Sequence, residues 1–504
     1  MQGLNEFWQE VSEGDIHFRD NLQFELKAEF FINPHVKENT YKQDFYLFIP
    51  YTLQINSQTY SREQFYLDET NLIRYKTPQI SLSQLIQEDN TESPLIRLKK
   101  DKKNIFIFQV IDELRLFGNI FKAAVRDRIR VLLLHLENQH PEMKFDVPEQ
   151  VLLLCQEIKR CRQDFFALQN DYFLLYPSLS DLHDAFLETD EFVSTTIEYY
   201  LTTLLKLIRD AKIEDSKTTD EQLCLLITQE QQYRHEHHLL SKAPEDDPHA
   251  KESILYRLGL LNSFMLEALL LKSNRISLQE KHGNILGAIA AGIAMLIYMW
   301  LLWKSTAFVI NSAPFVLLAV VLYVLKDRIK EGIKTLFYKQ AFRWYPDYAT
   351  QIENRAGTTI GKLNENFSFI DEQQLPDEVR KIRTTHFHEE LPNLKRQETL
   401  IHYKREVTLY HPAPSSESRR RGLTIIFRFN LSRFLEKASN AIQPTLVLDP
   451  DSLEIIEQFL PKVYHLDIII QNTYRKANQE AKVEIKKFRV VVDKFGIKRV
   501  EQVK

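Results

Sequence analysis

Glycine and cysteine are both scarce in this chain of 504 residues, which contains only twelve glycines and three cysteines. Phosphate-binding loops and nucleophile elbows need glycine where the backbone approaches a ligand or adopts a positive φ angle. The scarcity of glycine therefore argues against these classes of enzyme site. Cys155, Cys161 and Cys224 lie in segments with helical periodicity, so they suit a reducing compartment and predict no disulfide framework.

The chain also lacks a dominant charge, and its first residues do not predict a cleavable leader. Its net charge of −4 at pH 7 does not indicate a class of partner. The amino-terminal letters MQGLNEFW contain neither a basic segment nor an apolar run, as a signal peptide would. We therefore expect targeting to depend on an internal apolar segment.

Long uncharged apolar runs are present at the centre of the chain. The runs at 285–303 and 307–325 are separated only by Lys304, Ser305 and Thr306. A helix needs about 20 apolar residues to cross a bilayer, and so short a link would force an antiparallel return. The sequence therefore predicts a two-helix transmembrane hairpin. A buried hairpin in the core of a soluble protein is the alternative.

Positive charge predicts the orientation of this hairpin. Lysine and arginine near a span stay on the cytoplasmic side, and Trp and Tyr mark the membrane interfaces. The link offers only Lys304, whereas nine basic residues flank the runs: Lys272, Arg275, Lys281, Lys326, Arg328, Lys330, Lys334, Lys339 and Arg343. The expected localisation is a two-pass integral membrane protein, most simply of the bacterial inner membrane, with both termini cytoplasmic. Trp300 and Trp303 would mark the far interface, and Tyr323 the near one.

Small residues in the first run predict close helix packing. Gly283 and Gly287, like Ala288 and Gly292, are four residues apart, a spacing at which helix backbones approach closely. This surface would join two copies of the chain, or it would pack only on the second run. The sequence leaves both alternatives open.

Five regions follow from patterning, and together they predict an α+β multidomain membrane protein. These are a β-rich region at 1–100, a cytosolic helical bundle at 104–282, the transmembrane hairpin at 285–325, a basic amphipathic helix at 326–350 and an α+β domain at 375–504. Lys330 and Lys334 lie in the amphipathic helix, which would rest on anionic headgroups or pack on the bundle. Because the hairpin brings the chain back, we hypothesise that the two terminal β regions share one sheet.

The bundle prediction depends on helical periodicity. Apolar residues recur three or four apart at 154, 158, 161, 165, 168 and 172, which is typical of the buried face of a helix. Proline and acidic stretches divide the region into predicted helices at 104–138, 148–176, 180–212, 219–241 and 249–282.

One short motif resembles a catalytic site. An apolar strand ends in Asp449 and Asp451, as in phosphotransferases of the haloacid-dehalogenase type, where two such aspartates act as nucleophile and general acid at a magnesium site. Leu453 departs from that pattern, which has Thr or Val there. The alternative is that Asp451 or Ser452 caps a helix over 452–460, with Glu454 completing a capping box. Capping is the favoured interpretation.

Other candidate motifs are incomplete. The segment 355–363 has Ala356 and Leu363 where a phosphate loop needs glycine and a hydroxyl, so it predicts a turn. His235 and His238, and separately His386 and His388, offer two metal ligands each and no third. The basic segment 475–504 alternates like a hairpin that turns at Phe495 and Gly496. We therefore expect no metal, no cofactor and no nucleic-acid partner.

The predicted function is binding rather than catalysis. We expect a membrane-anchored, cytosol-facing scaffold with the lipid bilayer and a protein partner or a second copy of the chain as partners. One alternative is an oligomerising membrane effector that perturbs or perforates the bilayer. Another is an enzyme with an unfamiliar site, although no motif supports a specific reaction.

Overall fold

A computed structural model describes most of the chain. The described residues are 16–33, 36–102, 106–137, 146–211, 217–239, 247–304, 313–341, 345–384, 397–410, 419–451, 453–474 and 482–503. With 51% helix and 31% strand, the protein is of the mixed α/β class.

Fourteen strands are described, and most of them belong to the terminal parts of the chain. They are β1 Ile16–Asp20, β2 Gln23–Phe31, β3 Glu38–Pro50, β4 Glu69–Tyr75, β5 Lys272–Ser277, β6 Tyr348–Glu353, β7 Thr359–Ile370, β8 Glu398–Tyr410, β9 Gly422–Asn430, β10 Ile442–Leu448, β11 Ile455–Pro461, β12 Tyr464–Tyr474, β13 Lys482–Asp493 and β14 Gly496–Val503.

Two antiparallel sheets combine strands from both ends of the sequence. The large sheet has the order β14-β13-β12-β3-β8-β7-β6-β5, and the small sheet has the order β1-β2-β9-β4. In the large sheet β3 pairs with both β8 and β12, and in the small sheet β2 pairs with β9. The hypothesis that the two terminal regions share a sheet is therefore confirmed.

Aromatic residues fill the space between the sheets. Phe45 of β3 stacks on Phe427 of β9 with ring centroids 5.3 Å apart, and Phe24 of β2 packs near the same ring. All three side chains are buried on the faces that the two sheets turn toward each other.

Twelve α-helices are described along the chain. They are α1 Arg62–Asp68, α2 Leu82–Ile86, α3 Pro94–Lys100, α4 Ile107–Glu137, α5 Val147–Leu175, α6 Ser180–Ala211, α7 Lys217–Glu236, α8 Pro248–Leu266, α9 Leu278–Lys304, α10 Ala313–Ala341, α11 Asp377–Thr384 and α12 Ser432–Leu435.

Helices α4 to α8 lie in the region predicted to be a helical bundle, and they pack on one another. The periodic residues of α5, from Leu154 to Tyr172, are buried in its core. The last predicted helix, at 249–282, is wrong beyond Leu266, because a short 3₁₀ turn and then β5 follow there. Strand β5 pairs with β6 at the edge of the large sheet, so the chain enters α9 from the sheet and not from the bundle.

The prediction of a transmembrane hairpin is wrong, and with it the membrane fold class and the two-pass membrane localisation. Across the described ranges, no helix combines the length and the apolar character that crossing a membrane requires.

The predicted capped helix at 452–460 is also wrong. The segment is strand β11, which pairs with β10 in register from Ile442 with Pro461 to Leu448 with Ile455. Leu453 has a φ angle of 57°, in the left-handed region, where a helix of L-residues cannot continue. Asp449 closes the turn, because its backbone carbonyl accepts from the Leu453 amide at 2.9 Å.

Candidate functional site

Helices α9 and α10 pack against each other, and α9 has two buried alanines. Ala290 and Ala294 are each 1% exposed and lie one turn apart on the same face. Side chains this small let two helix backbones approach closely. The sequence shows the same spacing of four, so this alanine pair was detectable, although the small-residue prediction did not include it.

The four predicted packing residues lie elsewhere on α9. A Cβ atom added to Gly287 or to Gly292 would meet nothing within 4 Å, and Ala288 is exposed. Gly283 belongs to α9, at a position whose surroundings are outside the described residues. Packing among the described residues therefore does not use Gly287 or Gly292. Their role in contact between copies stays a prediction.

An exposed apolar stripe runs along the side of α9 away from the alanine pair. Its members are spaced four, three, four, three and four residues apart, and all are exposed: Ile285, Ile289, Gly292, Leu296, Met299 and Trp303. We call these six residues the outer stripe. Leu296 is 71% exposed and Trp303 is 72% exposed. The average spacing of 3.6 residues places all six on one face of the helix, as in a helix that packs along a second helix.

Helix α10 also exposes apolar side chains. Val316, Leu317, Val320 and Val324 are more than half exposed, as are the predicted interface residues Trp300 and Tyr323. Lys326 places its amine 4.1 Å from the centre of the Tyr323 ring. Lys330 and Lys334 follow on the same helix, beyond its apolar part. Monomeric soluble proteins rarely expose a contiguous apolar surface of this extent unless a partner covers it.

The base of α9 is held to the sheets by an arginine. Arg275 of β5 lies three residues before α9, with its guanidinium 3.2 Å from a carboxylate oxygen of both Glu69 and Glu365. The same guanidinium packs on the rings of Tyr66 and Tyr348, at 4.9 and 4.4 Å from their centroids. Both cation–π and charge–charge attraction therefore fix the strand that leads into α9.

The two carboxylates beside Arg275 are buried and close to each other. Burial, together with the nearby charge of Glu365, raises the pKa of Glu69 to about 8. Glu365 accepts hydrogen bonds from the Tyr403 hydroxyl at 2.7 Å and from the Asn71 side-chain amide at 2.8 Å. Because these carboxylates are almost inaccessible to solvent, they serve the fold and are not placed to meet a substrate.

A second exposed apolar surface lies on the β10–β11 hairpin. Large apolar side chains are exposed on both of its strands: Ile442, Leu446, Leu448, Ile455, Ile456, Phe459 and Leu460. The hairpin forms a two-stranded sheet of its own in the described structure. An apolar two-stranded sheet with exposed faces is a feature that partners usually cover.

The motifs with catalytic resemblance do not assemble into sites. Asp449 and Asp451 lie in the turn of the β10–β11 hairpin, where the Asp449 carboxylate accepts from the Asp451 amide at 3.2 Å. The predicted turn at 355–363 is confirmed only for residues 355–358, between β6 and β7, where Gly357 has a φ angle of 78°; residues 359–363 already belong to β7. The predicted carboxy-terminal hairpin is confirmed, and it turns through Gly496.

The histidines and cysteines are likewise dispersed. His235 and His238 are exposed at the carboxyl end of α7, and His386 and His388 lie outside the described residues. Within the described ranges, no three His, Cys, Asp or Glu residues are grouped in a way that could hold a metal ion. Cys155 and Cys161 are buried thiols of α5, and burial raises the pKa of both.

Comparison of the chain with protein-family models, with curated proteins and with solved structures gave no match. The functional argument therefore depends on the geometry of the outer stripe and its surroundings.

Proposed function

We propose that this protein is a binding scaffold whose copies associate through α9 and α10. The observation that supports the proposal is the outer stripe, an exposed apolar line along α9 at the spacing of a helix–helix contact. Burying such residues against another helix removes apolar area from water, at about 1.5–3 kcal/mol for each large side chain.

The distribution of side-chain size along the outer stripe favours a second copy of the chain as the occupant. The carboxy-terminal half of the outer stripe is bulky, with Leu296, Met299 and Trp303, whereas its amino-terminal half combines Ile285 and Ile289 with Gly292 and has Gly287 and Ala288 beside it. When two copies pair in antiparallel orientation, the bulky half of each meets the half of the other that contains these small residues. The contact is then the same on both sides, as in most homodimers.

Charge is compatible with self-association. The outer stripe contains no ionisable side chain, so two identical surfaces meet without repulsion between like charges. Two α9–α10 pairs joined in this way form a four-helix arrangement with an apolar interior. The β10–β11 hairpin is not needed for this contact and stays available to a protein partner, as a scaffold requires.

The proposal is tested by the molar mass of the purified full-length protein, measured by light scattering after size exclusion. We expect the unmodified chain to form a dimer or a larger assembly. Leu296→Glu places a charge in the middle of the outer stripe and is expected to give monomers. Leu174→Glu, on an 82% exposed leucine of α5, is the matched control and is expected to leave the mass unchanged.

A monomeric unmodified chain would contradict the proposal, as would a Leu296→Glu variant that assembles like the control. Both variants replace exposed leucines, so their melting temperatures should match that of the unmodified protein. The enzyme alternative has no specific observation behind it. The bilayer-perturbing alternative depended on the two spans that the described helices do not supply.

A further inference from the structure

A polar pocket of about 410 Å³ lies on the outer face of the large sheet, where β7 pairs with β8. Tyr345 and Pro346 bound it on one side. Its floor is formed by alternate residues of the two strands, which point to the same face: Asn364, Asn366, Ser368, His402, Lys404 and Glu406. The pocket is within the size range of small-molecule sites, about 300–1,000 Å³.

The strand register arranges these six residues in three rows. Asn364 lies opposite Glu406, Asn366 opposite Lys404, and Ser368 opposite His402. Successive rows are about 7 Å apart, because a strand rises about 3.4 Å per residue. The rows differ in hydrogen-bonding character, so the pocket has two chemically distinct ends.

The first row presents acceptors. The side-chain oxygen of Asn364 is buried and has no hydrogen-bond partner in the described structure. Glu406 opposite it has no hydrogen bond or ion pair with any described residue. A buried acceptor without a donor is costly, so these two groups together favour a cationic donor such as an ammonium group.

The other two rows present donors. Within the described residues, Lys404 makes no ion pair and the Ser368 hydroxyl makes no hydrogen bond. His402 is held in place because its Nε2 atom lies 2.9 Å from an Asp44 carboxylate oxygen and its ring stacks on Tyr46 at 4.8 Å. An amine and a hydroxyl on this rigid floor suit a carboxylate.

We infer that this pocket binds a small zwitterion of amino-acid or dipeptide size. Its ammonium group lies against Glu406 and Asn364, and its carboxylate lies against Lys404 and Ser368. One lysine and one glutamate in the same pocket disfavour polyanions such as nucleotides, and the polar floor disfavours apolar ligands. The site is separate from the outer stripe, so it adds a ligand to the proposed scaffold.

Titration calorimetry of the full-length protein with alanyl-alanine, its N-acetyl derivative and its C-terminal amide tests the inference, with free alanine as the shorter probe. We expect a free zwitterion to bind at least tenfold more tightly than either capped dipeptide, because each cap removes one charge. Equal affinity for free and capped forms, or no binding of either free form at millimolar concentration, would overturn it.

Two variants locate the two ends of the ligand. Glu406→Gln is expected to remove the preference for a free amine, and Lys404→Met the preference for a free carboxylate. Lys362→Met is the matched control, because Lys362 lies on the same face of β7 outside the pocket, and it should bind like the unmodified protein. Variants at 404 and 406 that keep the unmodified selectivity would contradict the inference even if the dipeptide binds.

Discussion

Replacing Arg275 should destabilise the protein, because the buried carboxylates of Glu69 and Glu365 would then lose the positive charge that both contact. Arg275 contacts both Glu69 and Glu365, and no side-chain area of Glu69 is exposed. Removing one partner of a buried ion pair costs about 3–5 kcal/mol, because the remaining charge is left without compensation. Arg275 is one-third exposed and Arg405 still acts on Glu69, so we expect Arg275→Met to cost about 2–3 kcal/mol near pH 8.

The cost should depend on pH, with a sign that follows from Glu69. Its folded pKa is raised to about 8 from an ordinary value of 4.5, so the folded state holds a proton that the unfolded state releases. This contribution to stability is complete below about pH 4.5 and is lost as the pH rises through 8. The slope is at most about 1.4 kcal/mol per pH unit between these values.

Hydrogen exchange of the β4 and β7 amides at pH 5 to 9, corrected for the intrinsic effect of pH on exchange, measures the local opening free energy. We expect this free energy to fall with pH in the unmodified protein. The slope should be smaller in Glu69→Gln, whose amide imitates the protonated acid. Adding Glu69→Gln to Arg275→Met should also restore most of the local opening free energy that Arg275→Met alone loses. An unchanged slope in Glu69→Gln, or an Arg275→Met cost below about 1 kcal/mol near pH 8, would refute this reasoning.

Three further predictions concern the β10–β11 hairpin, two glycines and the three cysteines. Ile455→Ser combined with Phe459→Ser should leave the melting temperature unchanged within about 1 °C and reduce aggregation in light scattering, because both side chains are exposed. Gly496→Ala should lower the free energy of unfolding by about 2 kcal/mol or more in denaturant titration, because Gly496 has a φ angle of 132° and an added Cβ would meet the Asn21 carbonyl. Its control, Gly292→Ala, has open space around it and should raise the stability of α9 by about 1 kcal/mol. Iodoacetamide at pH 8 should alkylate Cys224 before Cys155 and Cys161, because burial raises the pKa of Cys155 to about 11 and that of Cys161 to about 12. Peptide mass spectrometry measures this order of alkylation.

Periodicity predicted the helices of the bundle well, because α4 to α7 each bury one face against the same core. The predicted bounds 148–176 and 180–212 differ from those of α5 and α6 by one residue at most. The strand at 400–410 was also detectable, since its alternation matches one buried face, whereas the strand at 483–492 is buried on both faces in its second half. We predicted that the two terminal regions share a sheet because the two central apolar runs, as a hairpin, bring the chain back.

The errors arose where apolar residues are not in a core. Apolar letters at 285–303 and 307–325 predicted membrane spans, whereas the described helices present part of this surface outward and part to each other. Residues of β11 are exposed on both faces, so they show no alternation, and the aspartates before them imitate a helix cap. The pocket on β7 and β8 joins residues about 40 positions apart that form no motif, so only the strand register reveals it.

Contact between copies along the outer stripe can be measured as a distance. Pulsed electron paramagnetic resonance on Leu296→Cys, spin-labelled in a Cys224→Ser background, reports the separation between labels on two copies. Packed helices lie about 8–10 Å apart, and antiparallel pairing places position 296 near the centre of the contact, so we expect a label separation below roughly 20 Å. Absence of dipolar coupling between labels at this position would contradict association through α9.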